Sequence, residues 1–157
     1  MARTFTHSLI DRLIDDEPDR AVEPAESEEA ALARYKYSLR RDLEALLNSK
    51  RPLLAMIDAS EALGRTVIGY GIRDMSTDDF STSATRERAR RMVAQCIREH
   101  ETRLSDVDVE ADSAPTSRGI RFRITATLKL SRNRDVVVYD ANVRPTDRAI
   151  AVELTGS

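Results

Sequence analysis

Tryptophan is absent, and the chain has only three phenylalanines and four tyrosines in 157 residues. A cleft that stacks rings on sugar faces is therefore disfavoured. The single cysteine, Cys96, cannot form an intramolecular disulfide and fits a reducing compartment. Histidine occurs only as His7 and His100, with no Cys or His at ligand spacing, so nothing in the pattern supports a metal site. No glycine-rich phosphate loop and no nucleophile elbow occurs. No apolar run approaches the roughly 20 residues of a membrane-spanning helix, and the opening MARTFTHSLIDRLIDDEP lacks the apolar region of a signal peptide. These absences predict a cytoplasmic protein with no cofactor, no direct membrane insertion and no catalytic set. Neither sign of charge dominates either: 25 Lys and Arg face 27 Asp and Glu, so overall charge makes no case for nucleic-acid binding.

What remains is enough to fold. Hydrophobic residues make up 41% of the chain and charged residues 33%, which suits one domain with a modest core and a densely ionic surface. Residues 6–15 place Leu9, Ile10, Leu13 and Ile14 on one helical stripe, with Thr6 or Ser8 as cap. So short a helix is marginal alone and needs a groove on its own domain or on a partner. Residues 16–29 are acidic, carry Pro18 and Pro24 and show no apolar period, which reads as a linker. The chain thus divides into an N-terminal helix and linker over 1–27 and a domain over 28–157.

A helix is predicted over 29–48, because Leu32, Tyr35, Leu39, Leu43 and Leu46 recur at spacings of three and four and Leu47 widens the stripe. Asn48 and Ser49 terminate it and Pro52 forbids continuation. Residues 53–72 read as a loop, since Gly69 and Gly71 weaken any regular element. A second helix is expected over 84–101, burying Ala89, Met92, Val93, Cys96 and Ile97 and turning its arginines to solvent. From Val107 the period becomes two. Ile120, Phe122, Ile124, Ala126, Leu128 and Leu130 alternate with Arg121, Arg123, Thr125, Thr127 and Lys129, the mark of a half-buried strand. Asn133, Arg134 and Asp135 read as a turn, 136–139 as a third strand and 149–154 as a fourth. The fold class is α+β, N-terminal helices followed by a small, mainly antiparallel sheet.

Among chemical readings, a peptidoglycan-cleaving muramidase needs only two placed carboxylates. Most acids here lie among other charges, where they stay ionised and cannot serve as the acid. Glu101 and Arg103 stand between the last helix and the first strand. On the residues alone, surface charges are the favoured reading, and a tie between helix end and sheet is the other.

Four segments, in order, carry a family resemblance: SLIDRLIDD at 8–16, SLRRDLEALLNSKRP at 38–52, GYGIRDMS at 69–76 and HETRLSDVDVE at 100–110. With them the chain resembles the TssE family, the small baseplate subunit of the type VI secretion system, related to phage-tail wedge proteins labelled "lysozyme-like". The family's proline between Glu and Arg is Thr102 here, while Glu101 and Arg103 are kept. The resemblance implies a structural protein in the cytoplasm, recruited to an apparatus docked at the inner membrane. Its implied partners are the wedge subunits TssF and TssG and the sheath proteins TssB and TssC, with TssK as a further candidate. On that reading Leu39, Leu43, Leu46, Leu47 and Asn48 form a partner interface, and Glu101 and Arg103 serve the junction that attaches the sheath. A wedge protein of a phage-derived contractile injection particle would share this mechanism.

Overall fold

The computed structural model describes residues 8–14, 27–54, 59–117, 119–130 and 134–156, apart from the side chains of Arg12 and Glu61. Most of the acidic linker lies outside these residues. Its end does not: Ser27 caps a helix through its hydroxyl on the Ala30 N–H, and Glu28 and Glu29 form the first turn, where acidic side chains suit the helix dipole. The N-terminal helix α1 (Leu9–Leu13) is shorter than its apolar stripe. Ser8 and Asp11 close a reciprocal capping box around its first turn. Thr6, the other candidate cap, lies outside the described residues.

Helix α2 (Glu28–Asn48) follows its leucine period and buries Tyr35, Ser38, Leu39, Leu43, Leu46 and Leu47. Ser49 leaves helical geometry, and the chain then passes through an irregular stretch containing α3 (Glu61–Gly64) and a 3-10 turn (Val67–Gly69). The two glycines of the GYG segment are needed for close approach. Gly71 has φ +105°, and a Cβ on it would meet the Ser49 carbonyl oxygen at 2.3 Å; one on Gly69 would meet the Gly64 carbonyl oxygen at 2.1 Å. Without side chains there, the Ile72 N–H reaches the Ser49 carbonyl at 2.8 Å, and the Arg51 N–H the Ile72 carbonyl at 2.9 Å. This ties the loop to the end of α2.

Helix α4 (Ser83–His100), capped by Thr82, buries Ala89, Val93, Ala94, Cys96 and Ile97; Met92 is only partly buried. Burial pushes the Cys96 thiol up to about 12, with Glu99 adding to the effect. Cys96 will therefore stay unlabelled by Ellman's reagent in the folded protein and react fully once denaturant is added; rapid labelling of folded protein would contradict this burial.

The sheet is a meander of β1 (Leu104–Ala111), β2 (Ile120–Lys129), β3 (Arg134–Val143) and β4 (Ile150–Gly156), every neighbour antiparallel and in chain order. This is the α+β fold read from the sequence. The inward residues of β2 and β3, among them Phe122, Ile124, Leu128, Val137 and Tyr139, form one core with the stripes of α2 and α4. β3 runs on to Val143, past the expected 139, and β4 to Gly156, past 154. Two strand starts also differ from expectation. β1 starts at Leu104, because a bulge between Ser105 and Asp108, with Asp106 at φ 51°, resets the alternation so that Leu104, Val107 and Val109 are all buried. Arg134 and Asp135 are not turn residues: they open β3, opposite Lys129 and Leu128.

Candidate functional site: a polar joint between helices and sheet

Three of the four sequence segments, scattered over a hundred positions, meet at Arg103, and the fourth joins them through His100 at the end of α4. Its Nε donates to Glu101 Oε1 at 2.8 Å, one terminal nitrogen donates to Glu101 Oε2 at 2.6 Å, and the same nitrogen donates to Asp42 Oδ2 on α2 at 2.8 Å. The Arg103 N–H also donates to Glu101 Oε1, at 3.0 Å. Glu101 and Arg103 are 8% and 9% exposed, so the surface reading is corrected: these charges are inside the protein. Burial opposes the charge on Arg103, but Glu101 and Asp42 outweigh that and raise its pKa further. The guanidinium carbon stands 5.9 Å from the Tyr35 ring centroid.

Asp11 brings α1 into the joint. One carboxylate oxygen accepts from the Ser38 hydroxyl at 2.6 Å and the other from Arg41 at 2.7 Å. The remaining Arg103 nitrogen, Nη1, stands 4.0 Å from Asp11 and has no hydrogen-bond partner. Burial alone would raise the Asp11 carboxyl. The bonds from Ser38, the Ser8 backbone and Arg41 hold it well below the ordinary carboxylate range, so α1 stays anchored through mild acid. At the other side of the joint the His100 ring contacts the Gly69 carbonyl at 3.1 Å and stacks edge-on with Tyr70 at 5.3 Å. The loop segment is thereby pinned to the end of α4.

The leucines proposed as a partner interface are elsewhere. Leu39 and Leu43 are 0% exposed, Leu46 3% and Leu47 2%, so all four belong to the domain's own core and offer no surface. Asn48 is likewise not waiting for a partner: its amide bonds both backbone groups of Ile150. Among the apolar residues that are exposed, with Leu53 and Val67 of the irregular stretch, are Leu9, Ile10 and Leu13 of α1 and its C-cap Ile14, at 73%, 49%, 75% and 47%. α1 is thus held by Asp11 on its polar side and bare on its apolar side. Reading the residues singly missed Asp11, Ser38, Arg41 and Asp42 as members of the joint. For the three on α2 the signal was the polar run SLRRD, in which Ser38 interrupts the buried stripe.

The arrangement ties α1, α2, the end of α4 and the sheet together. The carboxyls of the described residues that shift, those of Asp11, Asp74, Asp79 and Glu87, all shift downward, away from the range of a general acid. Among the described residues no cluster of three metal-ligating side chains occurs, and no described helix is long and apolar enough to cross a membrane. The fold and the joint define a connector, a part that holds other parts in register.

Comparison with known families gives the same class a name. The model of the baseplate wedge protein gp25 family matches residues 33–133, and the chain belongs to that family. The family corresponds to TssE, in agreement with the resemblance read from the four segments. The protein is thus a structural baseplate component that acts with other baseplate proteins. The matched stretch runs from α2 into the β2–β3 connection and includes Asp42, Glu101 and Arg103. No curated protein and no solved structure matches the chain.

Proposed function

We propose that this chain is the wedge subunit of a type VI secretion baseplate that joins TssF and TssG and anchors the first ring of the TssB–TssC sheath, at a cytoplasmic apparatus docked on the inner membrane. TssK is a further neighbour in this assembly. The observation that carries the reading is α1: three large aliphatic side chains of the helix and that of its C-cap Ile14 are exposed, on an element fixed by Asp11 to the same joint that holds the sheet. A helical groove of the wedge subunits covers that face. The Arg103 cluster then sets the angle between the docked helix and the sheet, and the sheet presents its edge to the sheath. Glu101 and Arg103 act on the sheath as positioning residues, since they are buried. A phage-derived contractile particle would use the same two surfaces.

The test is co-expression with TssF- and TssG-like subunits encoded beside the gene. Ile10→Asp with Leu13→Asp will abolish co-purification while thermal unfolding of the isolated chain stays within about 4 °C of wild type, because each exposed substitution costs about 0.5 kcal/mol or less. Undiminished capture of both subunits would remove α1 from the interface.

A further inference from the structure

The joint and α1 leave one strongly basic stretch of surface unused. On α4, Arg91, Gln95 and Arg98 are exposed at spacings of four and three, so they form a line along the helix. Beside that line runs a groove of about 490 Å³, with Arg65 on its other side. Arg65, Arg90, Arg91 and Arg98 line it against one carboxylate, Glu99. Among the described residues none of α1 and none of the Arg103 joint lines it. The arginines of α4 are unequally committed. Arg90 donates to both oxygens of Glu87 at 2.8 Å and to the Val109 carbonyl at 3.1 Å. Arg98 donates to the Val107 carbonyl and forms no ion pair among the described residues. Arg91 has Glu87 at 3.5 Å, a carboxylate that already serves Arg90.

The loop side of the groove is aliphatic and fixed. After Arg65, the Thr66 hydroxyl donates to the Leu63 carbonyl at 2.7 Å, and the Gly69 N–H to the Thr66 carbonyl at 3.0 Å. The Gly69 carbonyl meets His100, the neighbour of Glu99 in the groove wall. The 3-10 turn therefore starts beside the groove and ends on α4, and it holds Val67 92% and Ile68 51% exposed. Aliphatic side chains presented beside uncommitted cations suit a ligand that carries both apolar groups and carboxylates.

The spacing of the cations selects the form of that ligand. Arg91 and Arg98 are seven positions apart, about 10.5 Å along α4. Two carboxylates at that separation share one face of an α-helix, at i and i+7. In a strand the same distance is three residues, and alternation puts the two on opposite faces. Nucleic acid fits less well, because Glu87 and Glu99 repel phosphates and no aromatic ring among the described residues lines the groove for a base to stack on. A second copy of this chain does not supply the ligand either, since none of its described helices carries two carboxylates seven apart.

We propose that the groove between α4 and the 65–69 turn is a further docking surface, for an acidic amphipathic helix of another baseplate protein. Carboxylates at i and i+7 of that helix meet Arg91 and Arg98, and its aliphatic side chains cover Val67 and Ile68. This surface rests on membership of the wedge family and is separate from the α1 and sheath contacts above.

The probe is a stapled helical peptide of about 15 residues, since unstapled helices of that length are marginal. It carries glutamates at i and i+7 with leucines beside them, and its binding to the full chain is read by fluorescence anisotropy. Arg91→Glu with Arg98→Glu will raise the Kd about tenfold or more, and a peptide with lysines in place of the glutamates will bind that variant about tenfold better than it binds wild type. Arg91→Glu alone, at an exposed position, will weaken binding about threefold with Tm unchanged, which separates docking from any loosening of β1 by the loss of Arg98. Moving one glutamate to i+5, off the shared face, will weaken binding as much as the double reversal does. The Ile10→Asp, Leu13→Asp chain will bind the peptide as wild type does, so this groove and the α1 interface fail independently. No binding by wild type below about 1 mM, or equal affinity for the paired and shifted peptides, would overturn the proposal. A DNA duplex of roughly 20 base pairs that binds more tightly than the peptide and is released by the double reversal would assign the groove to nucleic acid, also against it.

Discussion

Leu43→Asp will unfold the domain. Leu43 is 0% exposed in the middle of the buried stripe of α2, so a carboxylate there enters the core with no cation provided for it. Truncation alone, Leu43→Ala, is expected to cost about 3–5 kcal/mol from lost burial and the cavity left behind. The charged variant adds the desolvation of an ion, and the sum rivals the whole stability of an ordinary domain, about 5–15 kcal/mol. Circular dichroism will show loss of helix in Leu43→Asp and a cooperative but earlier melt in Leu43→Ala. A Leu43→Asp protein that stayed folded and failed only to bind wedge subunits would restore the leucine stripe as an interface. The contrast with Ile10→Asp and Leu13→Asp is the point of the experiment. All of these substitutions place a carboxylate on an apolar helix stripe, but Leu43 lies inside the core while Ile10 and Leu13 are 49% and 75% exposed.

That contrast also marks what the sequence could and could not disclose. Periodicity identifies a stripe, and it found α2, α4 and the alternation of β2 within a residue or two. It does not say which molecule covers the stripe, because Leu43 and Leu13 carry the same local signal. The joint was illegible for a related reason. Asp42 and Arg103 are 61 positions apart, and Asp11 and Arg41 are 30 apart, so their pairing is a consequence of the tertiary fold. Glu101 and Arg103, two positions apart, were visible as a pair, but burial was not. The line of α2 side chains that bonds the backbone of β4 was hidden differently: Arg40, Glu44 and Asn48 look like the ordinary solvent face of an amphipathic helix until the strand beside them is placed. The bulge at Asp106 escaped because a single left-handed aspartate leaves no periodic trace, although Leu104 just before it is buried. The family resemblance supplied what periodicity could not, by marking as one set four segments that prove to be neighbours in space.

Arg103→Ala is expected to be the most damaging polar substitution, costing about 3–5 kcal/mol, because it strands the buried carboxylate of Glu101 and takes away one partner of Asp42. For a chain of this size that is a fall in Tm of about 6–20 °C. The cost belongs to the broken pair and not to the pair's net worth, and a double variant separates the two. Glu101→Leu with Arg103→Met removes both charges and fills the space with apolar groups. Asp42 is not orphaned by it, since Arg41 donates to Asp42 at 2.8 Å. The double variant will therefore recover more than half of the lost stability. Arg103→Lys will fall between, since an ammonium keeps the charge but cannot span Glu101 and Asp42 with a planar fork. Urea unfolding of the three variants against wild type measures these differences directly. If the joint serves only stability, the recovered double variant will also recover sheath capture. If it sets the angle between α1 and the sheet, the double variant will be stable and still fail to hold sheath and wedge together, because an apolar contact does not fix the direction that hydrogen bonds to Glu101 and Asp42, and the charge of Asp11 at 4.0 Å, impose. An Arg103→Ala protein within about 1 kcal/mol of wild type would show that the cluster is slack, and the joint would then lose both roles.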